Sequence, residues 1–356
     1  MLNRLKFLTS KTPVYLVYWV TQNCNARCPF CFNWEENLKK NNDLSVAEIG
    51  QLAKSLPNLK YITFSGGEPT LRSDLPALVA AFVKHSDLQN CTIVTNGFKW
   101  ERMLDFLEEI CSSHPKLLVN VGVSIDFIGP RHDEYRKLDG CYEGAVKVIK
   151  GIKTLRDRYP RLMVGAAGTY TTATRDNFME TATHVLKEFK IPFHPIYVRG
   201  EVEDPNLLSV DIDEYNAVSR KILGMAEHVL PWNSLEGAFR YALEDMALDA
   251  ITRSETTKEM QTLCQAGRKA LLLESNGNLR LCEMRPDSFG NVRDHGYDVP
   301  GMLQQEANRH IIDQVWDDKC NCTWECFVKA SLPYDKKKWP RLMLLGARKA
   351  IKAKAG

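Results

Sequence analysis

Six apolar runs of strand length recur through the first two hundred residues, and a stretch of helical spacing follows each of the first five. The runs are Val14–Val20, Tyr61–Ser65, Cys91–Thr95, Leu117–Ile125, Leu162–Tyr170 and Pro192–Val198. The intervening helical stretches are Val46–Leu56, Asp74–His85, Trp100–Ile110, Tyr142–Leu155 and Phe178–Phe189. Strand–helix alternation of this kind predicts an α/β fold with a parallel sheet, because each parallel return needs a right-handed crossover. Local signals agree: Ser45 with Glu48 three residues on spells a capping box, and Asp74 is placed to cap the helix that ends at His85.

In parallel sheets and barrels the chemistry collects at the C-terminal strand ends. The conspicuous motifs of this chain fall there. A cysteine loop follows the first strand, Gly66-Gly67-Glu68-Pro69 the second, Asn96-Gly97 the third, and Ser124-Ile125-Asp126 closes the fourth.

The cysteines sharpen this picture. There are 11, an odd number, in two clusters: Cys24, Cys28 and Cys31, then Cys264, Cys282, Cys320, Cys322 and Cys326. Secreted disulfide scaffolds are short and pair their cysteines, so a reduced compartment with thiolate–metal sites fits better. Cys91, Cys111 and Cys141 stand singly and read as small packed hydrophobes. Hydrophobic residues at 44% and charged residues at 26% exclude disorder and coiled coil as the main organisation. Val14–Val20 is only 7 residues long, far short of the ~18 needed to span a bilayer. It has no small-residue cleavage site after it, so a buried strand and a soluble, cytoplasmic chain are expected. The net charge of +3 divides into +7 on residues 335–356 and −4 on residues 1–334, an unlikely pattern for a nucleic-acid binder.

The first cluster reads Cys24-Asn-Ala-Arg-Cys28-Pro-Phe30-Cys31, a C-x3-C-x2-C loop. Thiolates are soft ligands that suit zinc or iron–sulfur clusters. Three ligands from one loop leave a fourth coordination position open. A structural zinc would want a fourth ligand, and the nearest candidates, His85 and Cys91, sit on other elements.

This loop, with aromatic Phe30 just before its last cysteine, resembles the cluster-binding signature of the radical SAM enzymes. The resemblance extends over roughly residues 14–200 and implies a partial (βα)6 TIM-like barrel core. By it, Cys24, Cys28 and Cys31 would hold a 4Fe–4S cluster whose open iron chelates S-adenosylmethionine. One electron then cleaves the sulfonium to a 5′-deoxyadenosyl radical, so an electron donor such as flavodoxin or ferredoxin is implied. Ser65 through Pro69 resembles the family turn around the methionine ammonium, where Gly66 and Gly67 permit close backbone approach and Glu68 can balance a cation. Val123-Ser124-Ile125-Asp126, His132-Asp133, Arg136 and Gly140 resemble a stretch of one large subgroup. Ser124 and Arg136 would then meet the ribose or carboxylate, for which the Arg fork is suited. Asn96, Asp126, Pro69 and Tyr197 complete the expected cofactor pocket. Phe127 stands where the subgroup has Gly.

Cys264, then Gly277-x4-Cys282, Phe289-Gly290-Asn291 and Cys320-x-Cys322-x3-Cys326 resemble the SPASM/twitch extension. A full SPASM domain has seven cysteines, and five here imply one auxiliary 4Fe–4S cluster. Its ligands would be Cys264, Cys282 and two of the last three, with Cys322 and Cys326 preferred; a four-cysteine zinc ribbon has the same spacing. The expected organisation is a core over 1–205, a helical connection over 206–260, a small cysteine-rich auxiliary-cluster domain over 261–334 and a basic tail over 335–356.

The expected function is hydrogen abstraction from a small or lipid-linked metabolite, giving oxidation or rearrangement. A strand beginning at Val14 leaves little room for a peptide-recognition domain ahead of it. Maturation of a ribosomal peptide and a non-catalytic iron–sulfur or zinc protein are the competing readings. Tyr197, Arg199 and Glu201 are further substrate-site candidates. His132 reads as a helix-start hydrogen-bonding group before it reads as a base, and Tyr18 and Tyr170 as core. The tail, with Trp339, Leu342, Met343, Leu344, Leu345 and Ile351 between its cations, reads either as an amphipathic helix on anionic lipid or as a basic terminus docked on the acidic body. Pro340 and Gly346 count against one continuous helix.

Overall fold

The computed structural model describes residues 8–35, 42–229 and 235–355. Its centre is a nine-stranded sheet of order β6-β5-β4-β3-β2-β1-β7-β8-β9 among the described residues. The first six strands are β1 (Tyr15–Thr21), β2 (Tyr61–Gly66), β3 (Asn90–Thr95), β4 (Leu118–Ser124), β5 (Leu162–Tyr170) and β6 (Phe193–Tyr197). All are parallel to their neighbours, as the expected partial (βα)6 barrel requires. The connecting helices are α1 (Val46–Ser55), α2 (Leu75–His85), α3 (Trp100–Ser113), α4 (Pro130–Arg136), α5 (Cys141–Leu155) and α6 (Arg175–His184). α6 ends in a π-helical turn at Val185–Phe189.

Side-chain alternation assigns the two faces of the sheet. Along β4, Val119, Val121 and Val123 are fully buried, whereas Leu118, Asn120, Gly122 and Ser124 are half-buried and share the opposite face. The first set joins the core formed with the amphipathic helices; the second lines the barrel interior. β1 is buried on both faces over Leu16–Val20 because it is the central strand between β2 and β7. Tyr18 packs edge-on against Phe64 and Phe82, and Tyr170 against Phe178, so both are core residues. Cys91, Cys111 and Cys141 are buried as well.

α1 carries the complete capping box of Ser45 and Glu48, a device worth roughly 1 kcal/mol. Asp74 does precede α2, but its side chain makes no capping bond. Its carboxylate is drawn instead to Arg72 Nε at 2.7 Å, a stronger charge-assisted partner.

After β6 come α7 (Ile212–Met225), α8 (Leu235–Thr257), β7 (Ala270–Leu273), β8 (Asn278–Arg280) and β9 (Ser288–Asn291). β7 pairs parallel to β1, and β8 and β9 continue antiparallel, so the cysteine-rich part extends the same sheet. α9 (Val299–Gln304), α10 (Glu306–Asp317), α11 (Glu325–Ser331) and α12 (Trp339–Ala355) follow. α12 is continuous, contrary to the expectation from Pro340 and Gly346. Pro340 lies in the first turn, where a missing N–H costs no helical bond. Gly346 faces α8, where an added Cβ would lie 3.1 Å from the Phe239 ring. Among the described residues no helix is long and apolar enough to cross a membrane.

Candidate active site

The cysteine loop begins where β1 ends, and its backbone is clamped to the turn after β2. Gly67 N donates to Thr21 O and Glu68 N to Asn23 O, each at 2.8 Å. Gly66 has φ +114°, and Cβ atoms at Gly66 and Gly67 would lie 2.3 Å from Thr21 O and 2.0 Å from Asn23 O. The glycines are needed because the cysteine loop itself passes over them.

Glu68 is buried and caps the short 3-10 turn Pro69–Leu71. Its Oε1 accepts from Thr70 N at 3.1 Å, Thr70 Oγ1 at 2.7 Å and Thr95 Oγ1 at 2.7 Å; Oε2 accepts from Asn96 N at 2.8 Å. Burial nonetheless pushes this carboxyl above its usual range. Four protein donors hold the group, so it braces the ends of β2 and β3. Asn96 in turn donates from Nδ2 to Asn25 Oδ1 of the cysteine loop at 2.8 Å.

The other wall comes from α4. Arg27 N donates to Arg136 O at 3.0 Å. The Arg136 side chain is not an open fork: Nε and one terminal nitrogen reach Asp126 Oδ2 at 2.8 and 2.7 Å in a buried pair. Asp126 Oδ1 accepts from Thr169 N at 2.8 Å, fixing the ends of β4 and β5. His132 Nδ1 accepts from Asp126 N at 3.1 Å, and burial lowers its pKa to about 2. It is a neutral helix-start acceptor, and a poor base. Phe30 stacks on Tyr135 at 4.9 Å, and Phe127 meets Tyr135 edge-on at 5.1 Å. Phe127 thus builds this wall. The hydroxyl of Ser124, on the interior face at the end of β4, makes no hydrogen bond among the described residues.

Between these walls burial pushes the Cys24 thiol up to about 11 and raises Cys28 as well. Cys31 N donates to Cys28 O at 3.1 Å, closing the loop. Cys31 is half-buried beside these two desolvated thiols, and its field acts on both; thiols so placed suit a soft cationic centre that takes their protons.

A second cysteine site lies beyond β7. Cys264, Cys282, Cys320 and Cys322 line one cavity of about 100 Å³ with Trp324 and Phe327. Trp324 N donates to Cys322 Sγ at 3.3 Å. Cys326, preferred from the sequence, is not among these lining residues. It is the second residue of α11, on the side of Tyr15 and Glu283, whose fields both act with it. Among the described residues no three His, Cys, Asp or Glu side chains converge on a point that a single ion would fill.

Phe32, next to Cys31, joins the two sites, with ring centroids 6.2 Å from Trp19 and 5.9 Å from Trp324. Trp19 Nε1 donates to Glu283 Oε1 at 3.0 Å, and burial pushes the Glu283 carboxyl up to about 7. Arg199 lies 3.4 Å over Trp324 and pairs with Glu325 at 2.8 Å; Glu325 also accepts from Tyr197 N at 3.1 Å. Arg199 therefore faces this junction, Tyr197 reaches it through its backbone N–H while its ring packs on Tyr215 of α7 at 5.2 Å, and Glu201 is exposed. Sequence reasoning missed Asn25, Thr95, Tyr135, Glu283, Trp324 and Glu325. Asn25 and Thr95 adjoin motifs, but nothing local marks Glu325, whose partner Tyr197 is 128 positions away.

A chamber of about 660 Å³ opens at the N-terminal ends of β3, β4 and β6, lined by Asn90, Leu118 and His194 of the strands and by Glu244 and Lys329 of α8 and α11; no residue of the cysteine loop lines it. Glu244 and Lys329 pair at 2.8 Å.

Comparisons accord with this geometry. A family model described as the Radical SAM superfamily matches residues 18–185. Fe-coproporphyrin III synthase of Methanosarcina barkeri is 31% identical over 349 residues, covering 90% of this chain and 83% of that protein. GTP 3′,8-cyclase of Haemophilus ducreyi is 27% identical over 198 residues, 53% of this chain and 55% of that protein. Among solved structures, Streptococcus suis SuiB bound to S-adenosylmethionine aligns with a TM-score of 0.59 at 16% identity, over 87% of this chain and 70% of SuiB. Native anSMEcpe with bound AdoMet aligns at 0.58 and 17% identity, over 96% and 100%. These two likenesses concern the fold.

Proposed function

The chain belongs to the radical SAM superfamily of enzymes, and on that premise we propose that Cys24, Cys28 and Cys31 hold a 4Fe–4S cluster and that the substrate is a small metabolite. When bound, the cluster and S-adenosylmethionine supply one-electron cleavage of the sulfonium and a carbon radical that takes a hydrogen atom. Every other task falls to the chain. The observation that carries the reading is the double clamp on the cysteine loop, from the Gly66-Gly67 backbone on one side and Asn96 on the other.

In this reading Ser124 offers its hydroxyl to the nucleotide from the interior face. Arg136 is committed to Asp126, so it fixes α4 against the loop and leaves nucleotide recognition to other groups. Phe30, Tyr135 and Phe127 exclude water from the thiols' surroundings. A second 4Fe–4S cluster belongs on Cys264, Cys282, Cys320 and Cys322, with Trp324, Phe32 and Trp19 filling the space toward the first. The organisation into a core, a helical connection and an auxiliary-cluster region follows from the same assignment. An electron donor such as flavodoxin or ferredoxin is the partner it requires.

One observation favours a metabolite over a peptide. The relative at 31% identity is named for Fe-coproporphyrin III, itself a small molecule.

The test is anaerobic reconstitution with iron and sulfide, then S-adenosylmethionine and dithionite. The wild-type chain should release 5′-deoxyadenosine, Cys28→Ala should release none, and Cys264→Ala should retain a measurable share. Zinc in place of iron in anaerobically purified protein, or no product from the wild type, would sink the proposal.

A further inference from the structure

α12 has two apolar faces. Leu342, Leu345, Gly346 and Lys349 turn toward the body. Lys349 pairs with Glu227 and lies 4.3 Å over the Tyr241 ring, and Arg341 pairs with Asp249 of α8. This side is the docking that the acidic body predicts.

The opposite face is the unusual one. Trp339, Pro340, Met343, Leu344, Ala347 and Ile351 recur at spacings of three, four and seven residues, so they share one side of the helix. Trp339 is 40% exposed, Met343 58%, Leu344 50% and Ile351 68%. A solvated helix normally turns its polar side outward. Here the outward side is an unbroken apolar strip, and Trp339 is held at its start by a bond from Nε1 to Pro333 O at 2.9 Å.

The rim of this strip is cationic. Lys336, Lys337, Lys338 and Arg348 form no ion pair among the described residues. Residues 335–356 carry +7. That charge selects among occupants. A second copy of the chain would bring an equally basic rim against this one, and the two would repel. An anionic bilayer surface matches both features at once: acyl chains take Met343, Leu344 and Ile351, headgroups attract the lysines, and an indole suits the interface.

We propose that the outward face of α12 is an in-plane membrane contact that seats the protein on anionic lipid headgroups. The docked face fixes the orientation, because α8 lies behind the strip. The contact is peripheral: the apolar layer is one helix face deep.

The test is flotation of the full, anaerobically reconstituted chain with phosphatidylcholine vesicles, with and without phosphatidylglycerol. Binding is expected only with phosphatidylglycerol, and should weaken about fivefold for each of Lys336, Lys337 and Arg348 changed to Gln. Met343→Glu with Leu344→Glu and Ile351→Glu should weaken it at least about tenfold, with unchanged melting temperature and 5′-deoxyadenosine formation. These positions face solvent, so the substitutions spare the fold. No flotation, equal flotation on neutral vesicles, or full binding by the triple variant would overturn the proposal. So would concentration-dependent dimerisation that the triple variant abolishes, or tighter capture by polyglutamate than by vesicles.

Discussion

Asn96 Nδ2 donates to Asn25 Oδ1 at 2.8 Å, joining the turn after β3 to the cysteine loop after β1 across the intervening β2. The same Asn96 gives its backbone N–H to Glu68, so one residue ties three strand ends together. The cysteine loop is consequently part of a preformed frame.

Asn96→Ala should leave the fold intact and loosen the loop. Loss of the side-chain bond costs about 1 kcal/mol. The expected outcome is slower and less complete iron incorporation at Cys24, Cys28 and Cys31, read as iron content against time during anaerobic reconstitution. Incorporation at the wild-type rate would show that the bond does not support the loop.

The Arg136–Asp126 pair predicts a larger effect. Both side chains are buried, and removing one partner leaves an uncompensated charge at a cost of roughly 3–5 kcal/mol. Asp126→Asn should therefore lower the denaturant midpoint strongly, and Arg136→Lys, which forfeits the two-nitrogen contact, by less. Equal stabilities of the three proteins in urea would contradict this.

Glu48 supplies a pH signature away from the cysteines. Arg293 Nε bonds its carboxylate at 2.6 Å and Tyr297 OH donates to it at 2.9 Å, bringing α1 against the turn after β9. The Arg293 hydrogen bond holds the carboxyl down at about 2. A depressed folded pKa gives stability that is complete above the unfolded value of about 4.3 and is lost as pH falls toward 2. Because water reaches the pair, its contribution is screened to about 1 kcal/mol. The stability of Glu48→Gln should be flatter than wild type between about pH 4.3 and 2, measured by urea unfolding.

The spare thiol makes a discriminating prediction. Cys326→Ser should keep the full iron complement, whereas Cys320→Ser should lose the share attributed to the second site. The reverse result would move Cys326 into the ligand set in place of Cys320.

How much of this was legible beforehand differs by residue. The six strands and their parallel pairing followed from periodicity, because burial on a helix-covered face imposes apolar spacing on the chain itself. The placement of motifs at strand ends followed from the same alternation. The commitments of individual polar groups did not. Glu68, Arg136 and Asp74 each looked available in the sequence, and each is taken by a protein partner in the structure. Pro340 and Gly346 looked like helix breakers. A first-turn position and a tight approach to Phe239 made them compatible with α12.

What the sequence determined by itself was therefore local: the strand–helix rhythm, the three-thiol loop, and the glycines without which its neighbour could not approach. Those depend on the spacing of residues within a few turns of chain. The placing of Cys320 and not Cys326 in the wall of one cavity, the pairing of Arg136 with Asp126, and the outward apolar face of α12 were decided only by tertiary structure. Each depends on which distant segment lies opposite, and hydrogen bonds and burial are settled by that neighbour across space.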